Sequence, residues 1–148
     1  MAVLIETNVL LRSLQPYHHH PNISVARRAL DFLHETGETM VVAVQNVIEF
    51  WAVATRPQKE NGLGLSAELA LSEIARFKSL FNVLPETDGI LPEWERLVSA
   101  YRVLGKNAHD ARLVAAMNVN GINKILTFDA GDFVRFTDIE VLHPDSVR

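Results

Sequence analysis

Val3-Leu4-Ile5-Glu6-Thr7-Asn8-Val9-Leu10-Leu11 reads as a strand running straight into a helix, with one carboxylate at the join. A short, uninterrupted apolar run suits a strand buried on both faces, as in a parallel sheet. Glu6 is the only charged side chain among the first eleven residues. Burying a lone carboxylate is costly unless something compensates the charge. A divalent cation shared with other lone acids would do so.

The same pattern recurs outward from this stretch. Residues 40–44 form a second apolar strand, and Gln45-Asn46 turns it into a helix over 47–55 that Arg56-Pro57 stops. Shorter strands are expected at 82–84, 122–127 and 139–142. Between them, Asn22 or Ser24 caps a helix reaching Thr36, with Val25, Ala29, Phe32 and Leu33 as its apolar stripe. Ser66 caps another helix, Pro92 opens a third at its first position, and Asn107 caps a fourth that Gly121 closes. Strands alternating with helices predict a parallel α/β sheet in a single domain spanning 1–148. The carboxyl ends of such strands share one edge, where ligands usually bind.

Composition narrows the class. Hydrophobic residues make up 48% and charged residues 22%, as in an ordinary globular chain. There is no cysteine, which excludes thiolate metal sites and disulfides. No signal peptide or membrane span is apparent, so a cytoplasmic location is expected. A net charge of −4 argues against a surface that grips nucleic acid non-specifically.

Four lone acids stand out. Glu6 follows the first strand. Glu49 is the only charge between Glu38 and Arg56, flanked by Ile48, Phe50 and Trp51. Asp110 has Leu113, Val114 and Met117 at i+3, i+4 and i+7, which places it on an apolar helical stripe. Asp129 follows the strand at 122–127, with Asp132 three residues on. Each also has a plainer explanation: Asp110 as partner of a helix dipole, Asp129 and Asp132 as turn residues, Glu49 as the ion-pair partner of Arg56. Glu6 has the weakest of these, since a strand end offers no capping role. Gathered carboxylates either share protons or bind a hard cation. Mg²⁺ or Mn²⁺ held by few carboxylates suits phosphate chemistry. His18-His19-His20 lies in a Pro-flanked loop and reads as solvated, and Gly62-Leu63-Gly64 as loop flexibility.

In order and spacing, Ile5-Glu6-Thr7-Asn8-Val9-Leu10, Ile48-Glu49-Phe50, Arg56-Pro57 with Asn61-Gly62-Leu63-Gly64-Leu65, His109-Asp110-Ala111-Arg112 and Leu126-Thr127-Phe128-Asp129 resemble the PIN domain of the VapC type. The resemblance covers nearly the whole chain. It implies a three-layer α/β/α sandwich with a five-stranded parallel sheet. It also implies an Mg²⁺- or Mn²⁺-dependent endoribonuclease, the toxin of a toxin–antitoxin pair, acting on RNA, forming a homodimer and neutralised by a small antitoxin. The family's acids map onto Glu6, Glu49, Asp110 and Asp129, with Asp132 as an additional or substitute acid. Thr7, Asn8 and Thr127 match its supporting polar residues, and Thr7 and Asn8 are expected to orient the first carboxylate. Exposed apolar positions on the first two helices would suit a dimer contact, and Arg12, Arg56, Lys106 or Arg112 would hold phosphates.

One residue departs from the family pattern. Its first acid is nearly always Asp, and Glu6 here carries an extra methylene, a displacement of ~1.5 Å where catalytic groups tolerate only ~0.5 Å. Weakened metal binding or turnover is expected. The rival readings are a catalytically impaired PIN domain that acts by binding RNA or a partner protein, and a phosphohydrolase acting on a small phosphate ester.

Overall fold

The computed structural model describes residues 1–14, 17 and 19–148. Gln15, Pro16 and His18 of the expected loop lie outside the described residues. Strand β1 (Ala2–Ile5) leads into helix α1 (Thr7–Arg12), followed by α2 (Ile23–Glu35) and β2 (Thr39–Val42). Helices α3 (Val44–Thr55) and α4 (Ala67–Leu80) precede β3 (Asn82–Val83). Helices α5 (Ile90–Ala100) and α6 (Asn107–Val119) precede β4 (Lys124–Leu126) and β5 (Glu140–Leu142).

The strands form one sheet in the order β3-β2-β1-β4-β5, every pairing parallel. Alternation along β1 and β2 explains the layers, because successive side chains point to opposite faces. Val3, Ile5, Met40 and Val42 pack with α1 to α4, around Phe50 and Phe77. Leu4 and Val41 pack on the other face with α5 and α6, around Leu97, Val114 and Met117. The result is the expected α/β/α sandwich. The chain winds outward from β1 in both directions, so the crevice beyond β1 and β4 is a topological switch point, the preferred ligand position in such sheets.

Several local expectations change. Helix α3 begins at Val44, three residues earlier than expected, so Gln45 and Asn46 lie in its first turn. Asn46 is fully buried, and its Oδ1 accepts the Ala43 N–H at 2.9 Å, which satisfies a donor that the helix start leaves free. In α2 the buried positions are Ile23, Ala26, Ala29 and Leu33, while Phe32 is exposed. Pro92 is the third residue of α5, and Asn107 is the first residue of α6.

The Gly62-Leu63-Gly64 loop is pinned, not free. Leu63, Gly64 and Leu65 donate backbone hydrogen bonds to Val53, Arg56 and Ala54, at 3.1, 2.9 and 2.8 Å. A Cβ at Gly62 would stand 1.9 Å from the Arg56 carbonyl oxygen, so only glycine permits this approach. The apolar residues of α1 are buried, so the dimer surface expected there does not exist on that helix. Exposed apolar side chains include Ile48, Leu69, Leu71, Leu80 and Leu91, on α3, α4 and α5.

Candidate active site

Glu6 is the residue between β1 and α1, and its N–H bonds the Leu126 carbonyl of β4 at 3.1 Å. That bond continues the parallel ladder one residue past the strand and fixes the carboxylate at the switch point. Thr127 follows β4, is fully buried, and donates its hydroxyl hydrogen to Glu6 Oε2 at 3.3 Å. The same oxygen accepts from Asn8 Nδ2 at 3.2 Å and from the Asp129 N–H at 2.9 Å. A hydroxyl has one hydrogen and two lone pairs, so all three capacities are used. The Thr127 proton therefore points at Glu6.

Glu49, on α3, is held in the same way. Its Oε2 accepts from Thr7 Oγ1 at 2.9 Å, and Thr7 Oγ1 accepts from Asn46 Nδ2 at 3.2 Å. Its Oε1 accepts from Gln45 Nε2 at 3.0 Å, one helical turn away. Asp129 Oδ2 accepts from Asn8 Nδ2 at 3.0 Å. The side chains of Thr7 and Asn8 thus orient Glu49 and Asp129, not the first carboxylate as expected. The backbone N–H of Asn8 does favour the ionised form of Glu6.

The acids repel across this network. Glu6 is pushed up from an ordinary 4.5 to about 7, chiefly by burial and then by the charge of Glu49, with Asp129 adding to it. Asp110 is pushed up from 3.8 to about 6, by burial and then by Asp132 and Glu49. Asp132, in the short helical turn after Asp129, faces the group through Asp110. Asp110 does lie in the first turn of α6, where the helix dipole favours a carboxylate, but burial and the neighbouring acids outweigh that effect. Among the described residues Glu49 and Arg56 form no ion pair, and the Arg56 guanidinium bonds the Asn61 carbonyl at 3.1 Å. His20 accepts the Asn22 N–H through Nδ1 at 3.1 Å, and His19 is exposed.

Sequence reasoning missed Gln45 and Asn46, having read them as a turn. Gln45 is a junction. Its Nε2 also donates to the His109 carbonyl at 2.8 Å, and its Oε1 accepts from Arg112 Nη1 at 3.1 Å. Arg112 Nη2 bonds both oxygens of Glu86, at 3.0 and 3.1 Å. This chain ties α3, which carries Glu49, to the start of α6, which carries Asp110. Asn46 supports the site from beneath. Asn46→Ala would leave the buried Ala43 N–H unpaired and free the Thr7 hydroxyl to turn. The expected cost is about 1–3 kcal/mol, measured as a lower urea midpoint at unchanged m-value.

The donor set is chemically suited to a hard divalent cation. It offers carboxylate oxygens alone, and among the described residues no Lys or Arg forms an ion pair with Glu6, Glu49, Asp110 or Asp129. Among the described residues no three or more acidic or histidine side chains are grouped closely enough to hold a metal ion together. The fit is therefore to an ion taken by one or two carboxylates with water completing its shell, as Mg²⁺ prefers.

A family model for the PIN domain matches residues 3–139. The chain belongs to the PIN-domain family. Solved structures share the fold over nearly the whole chain. VapBC-1 from nontypeable Haemophilus influenzae aligns with a TM-score of 0.71 at 13% identity, covering 97% of this chain and 98% of that one. VapBC2 from Rickettsia felis, solved bound to a DNA fragment from its promoter, aligns at 0.70 with 13% identity and covers 97% and 98%. Mycobacterium tuberculosis VapC20, described as a toxin that cleaves the sarcin–ricin loop, aligns at 0.61 with 18% identity and covers 89% and 93%. The fold is thus that of VapC-type toxins. No curated protein matches the chain significantly. No described helix is long and apolar enough to cross a membrane.

Proposed function

We propose that this chain is a metal-dependent endoribonuclease acting as the toxin of a toxin–antitoxin pair. The observation that carries the reading is the gathering of acids from separate elements at the sheet's switch point, two of them pushed up to about 7 and about 6 by burial and mutual repulsion. Perturbed carboxylates sharing one crevice are candidates for a functional site, with a physical rationale in burial and like charge. Membership of the PIN family supports nuclease chemistry, and the neighbouring toxins solved with their antitoxins support the partner.

The assignment takes residues 1–148 as one domain. Glu6, Glu49, Asp110 and Asp129 would be the carboxylates offered to Mg²⁺ or Mn²⁺, one or two binding it directly with water completing its shell, and Asp132 adds negative charge beside Asp110. When bound, the cation lowers the pKa of a water and stabilises charge on the phosphate. The protein's part is positional. Thr127 holds Glu6, Thr7 and Gln45 hold Glu49 from two sides, and Asn8 holds Asp129. The hydroxyl hydrogens of Thr7 and Thr127 point at Glu49 and Glu6, so each carboxylate is held in one orientation. The chain acts in the cytoplasm, as a homodimer, against RNA, and a small antitoxin restrains it.

Glu6 supports one second reading, a site impaired in turnover that still binds RNA. A raised pKa and a longer side chain both weaken cation affinity. Incubation of the purified protein with a structured RNA pool, with Mn²⁺ or Mg²⁺ and with chelator, separates the two. Chelator-sensitive cleavage is the expected result. RNA binding with no cleavage under either metal would favour the impaired reading. Turnover of a generic phosphomonoester without RNA cleavage would sink both.

A further inference from the structure

A cleft of about 420 Å³ opens beside the acid cluster, between the start of α5 and the start of α6. Trp94, Leu91, Ile90, His109, Arg112 and Glu86 are among the residues lining it. Its volume falls within the range of small-ligand sites. No role in holding the acids uses its apolar wall. Trp94 is half-buried, and its indole N–H is already spent on the Ala108 carbonyl at 2.9 Å. What the side chain offers the cleft is an apolar ring held in one place by that bond. Leu91 is 62% exposed and adds aliphatic surface to the cleft.

Polar groups stand at one side only. Glu86 is an acceptor fixed by Arg112, Thr87 adds a hydroxyl, and the ring of His109 is exposed. An aromatic and aliphatic wall facing a few hydrogen-bonding groups is the chemistry that takes a planar heterocycle. The cleft is also physically joined to the acids. His109 precedes Asp110, and Arg112 reaches Glu49 through Gln45. A phosphate placed at the acids would leave a neighbouring base within reach of the cleft.

We propose that the cleft holds one unpaired nucleobase of the RNA, next to the phosphate to be cut. The proposal rests on the nuclease reading above. A paired base presents neither its face nor its edge to such a cleft, so duplex RNA is excluded.

The test uses the full chain with Trp51→Phe, leaving Trp94 as its only tryptophan. A short single-stranded oligoribonucleotide is titrated in chelator, beside the same sequence as a duplex and with one abasic residue. Quenching of Trp94 by the single strand is expected, with binding weakened about tenfold in the duplex and about tenfold again by Leu91→Glu. Leu91 is exposed, so that variant folds. Equal affinity for single strand and duplex would overturn the proposal. So would an Leu91→Glu variant that changes oligomeric state but not RNA affinity, which would make the cleft a contact between copies. Cleavage with silent Trp94 fluorescence would overturn the base site and leave the nuclease reading intact. Selective quenching with no metal-dependent cleavage by the parent chain would do the reverse.

Discussion

Asp110→Asn is expected to cut RNA cleavage by on the order of a hundredfold or more while making the metal-free protein more stable at pH 7. The first effect follows from removing one of the few charges aimed at the cation and phosphate, where a single electrostatic group commonly contributes on this scale. The second follows from proton linkage. Asp110 titrates at about 6 in the folded chain against 3.8 in the ordinary case. Between those values the folded state holds more protons than the unfolded one, so stability falls as pH rises. Above pH 6 the penalty is complete. Asparagine cannot ionise and does not suffer it. The comparison to run is cleavage rate beside thermal unfolding at pH 7 and pH 4. Gain in midpoint at pH 7, no gain at pH 4 and lost cleavage would place Asp110 in the chemistry. Lost cleavage with a lowered midpoint at both would mean a damaged fold.

The fold was legible because the strands carry their own signal. Val3-Leu4-Ile5 and Val41-Val42 are continuous apolar runs buried on both faces, and that pattern means a parallel sheet with helices on each side. The lone acids were legible for a related reason. Each interrupts an apolar segment, and a charge in that position needs a partner. What the sequence hid was the connection between them. Gln45 and Asn46 are polar residues just after a strand, where a turn and a helix start look alike. The choice depends on Asn46 meeting the Ala43 N–H and Thr7, and Thr7 lies 39 residues away. The same applies to Asn8 and Thr127, 119 residues apart, whose side chains each serve another acid than proximity in sequence suggests. The reading of Phe32 as core failed because the stripe of Val25, Ala29, Phe32 and Leu33 is rotated around the helix from the buried one, which Ile23 and Ala26 complete on the side away from Phe32. The pinned Gly62 loop could not be seen at all, since its partners are backbone carbonyls at the end of α3, which carry no sequence code.

Glu6 is where family pattern and this chain diverge, and it carries the second large prediction. Its pKa of about 7, against 4.5, corresponds to about 3 kcal/mol of native-state penalty once the group is ionised. The penalty is absent below about pH 4.5, grows through the interval to pH 7, and is full above it. Glu6→Gln is therefore expected to raise the unfolding midpoint of the metal-free protein at pH 8 by on the order of 5–10 °C, and to leave it unchanged at pH 4. Adding Mn²⁺ should narrow the difference, because the cation stabilises the parent chain in proportion to its occupancy and the amide variant far less. Glu6→Asp tests the other half of the argument. Withdrawing the carboxylate by one methylene carries it away from the Thr127 hydroxyl, which now holds it at 3.3 Å. It also separates the charge from Glu49, the largest electrostatic cause of the raised pKa. The aspartate should ionise at lower pH, bind Mn²⁺ more tightly and cleave RNA faster than the parent. An aspartate variant that cleaves no faster, with the same metal affinity, would show that the longer side chain already reaches the cation and that this site is not weakened. A midpoint for Glu6→Gln that is lower at pH 8 would mean that the ionised carboxylate contributes net attraction where it stands, and the crowding of acids at the switch point would need a counter-charge.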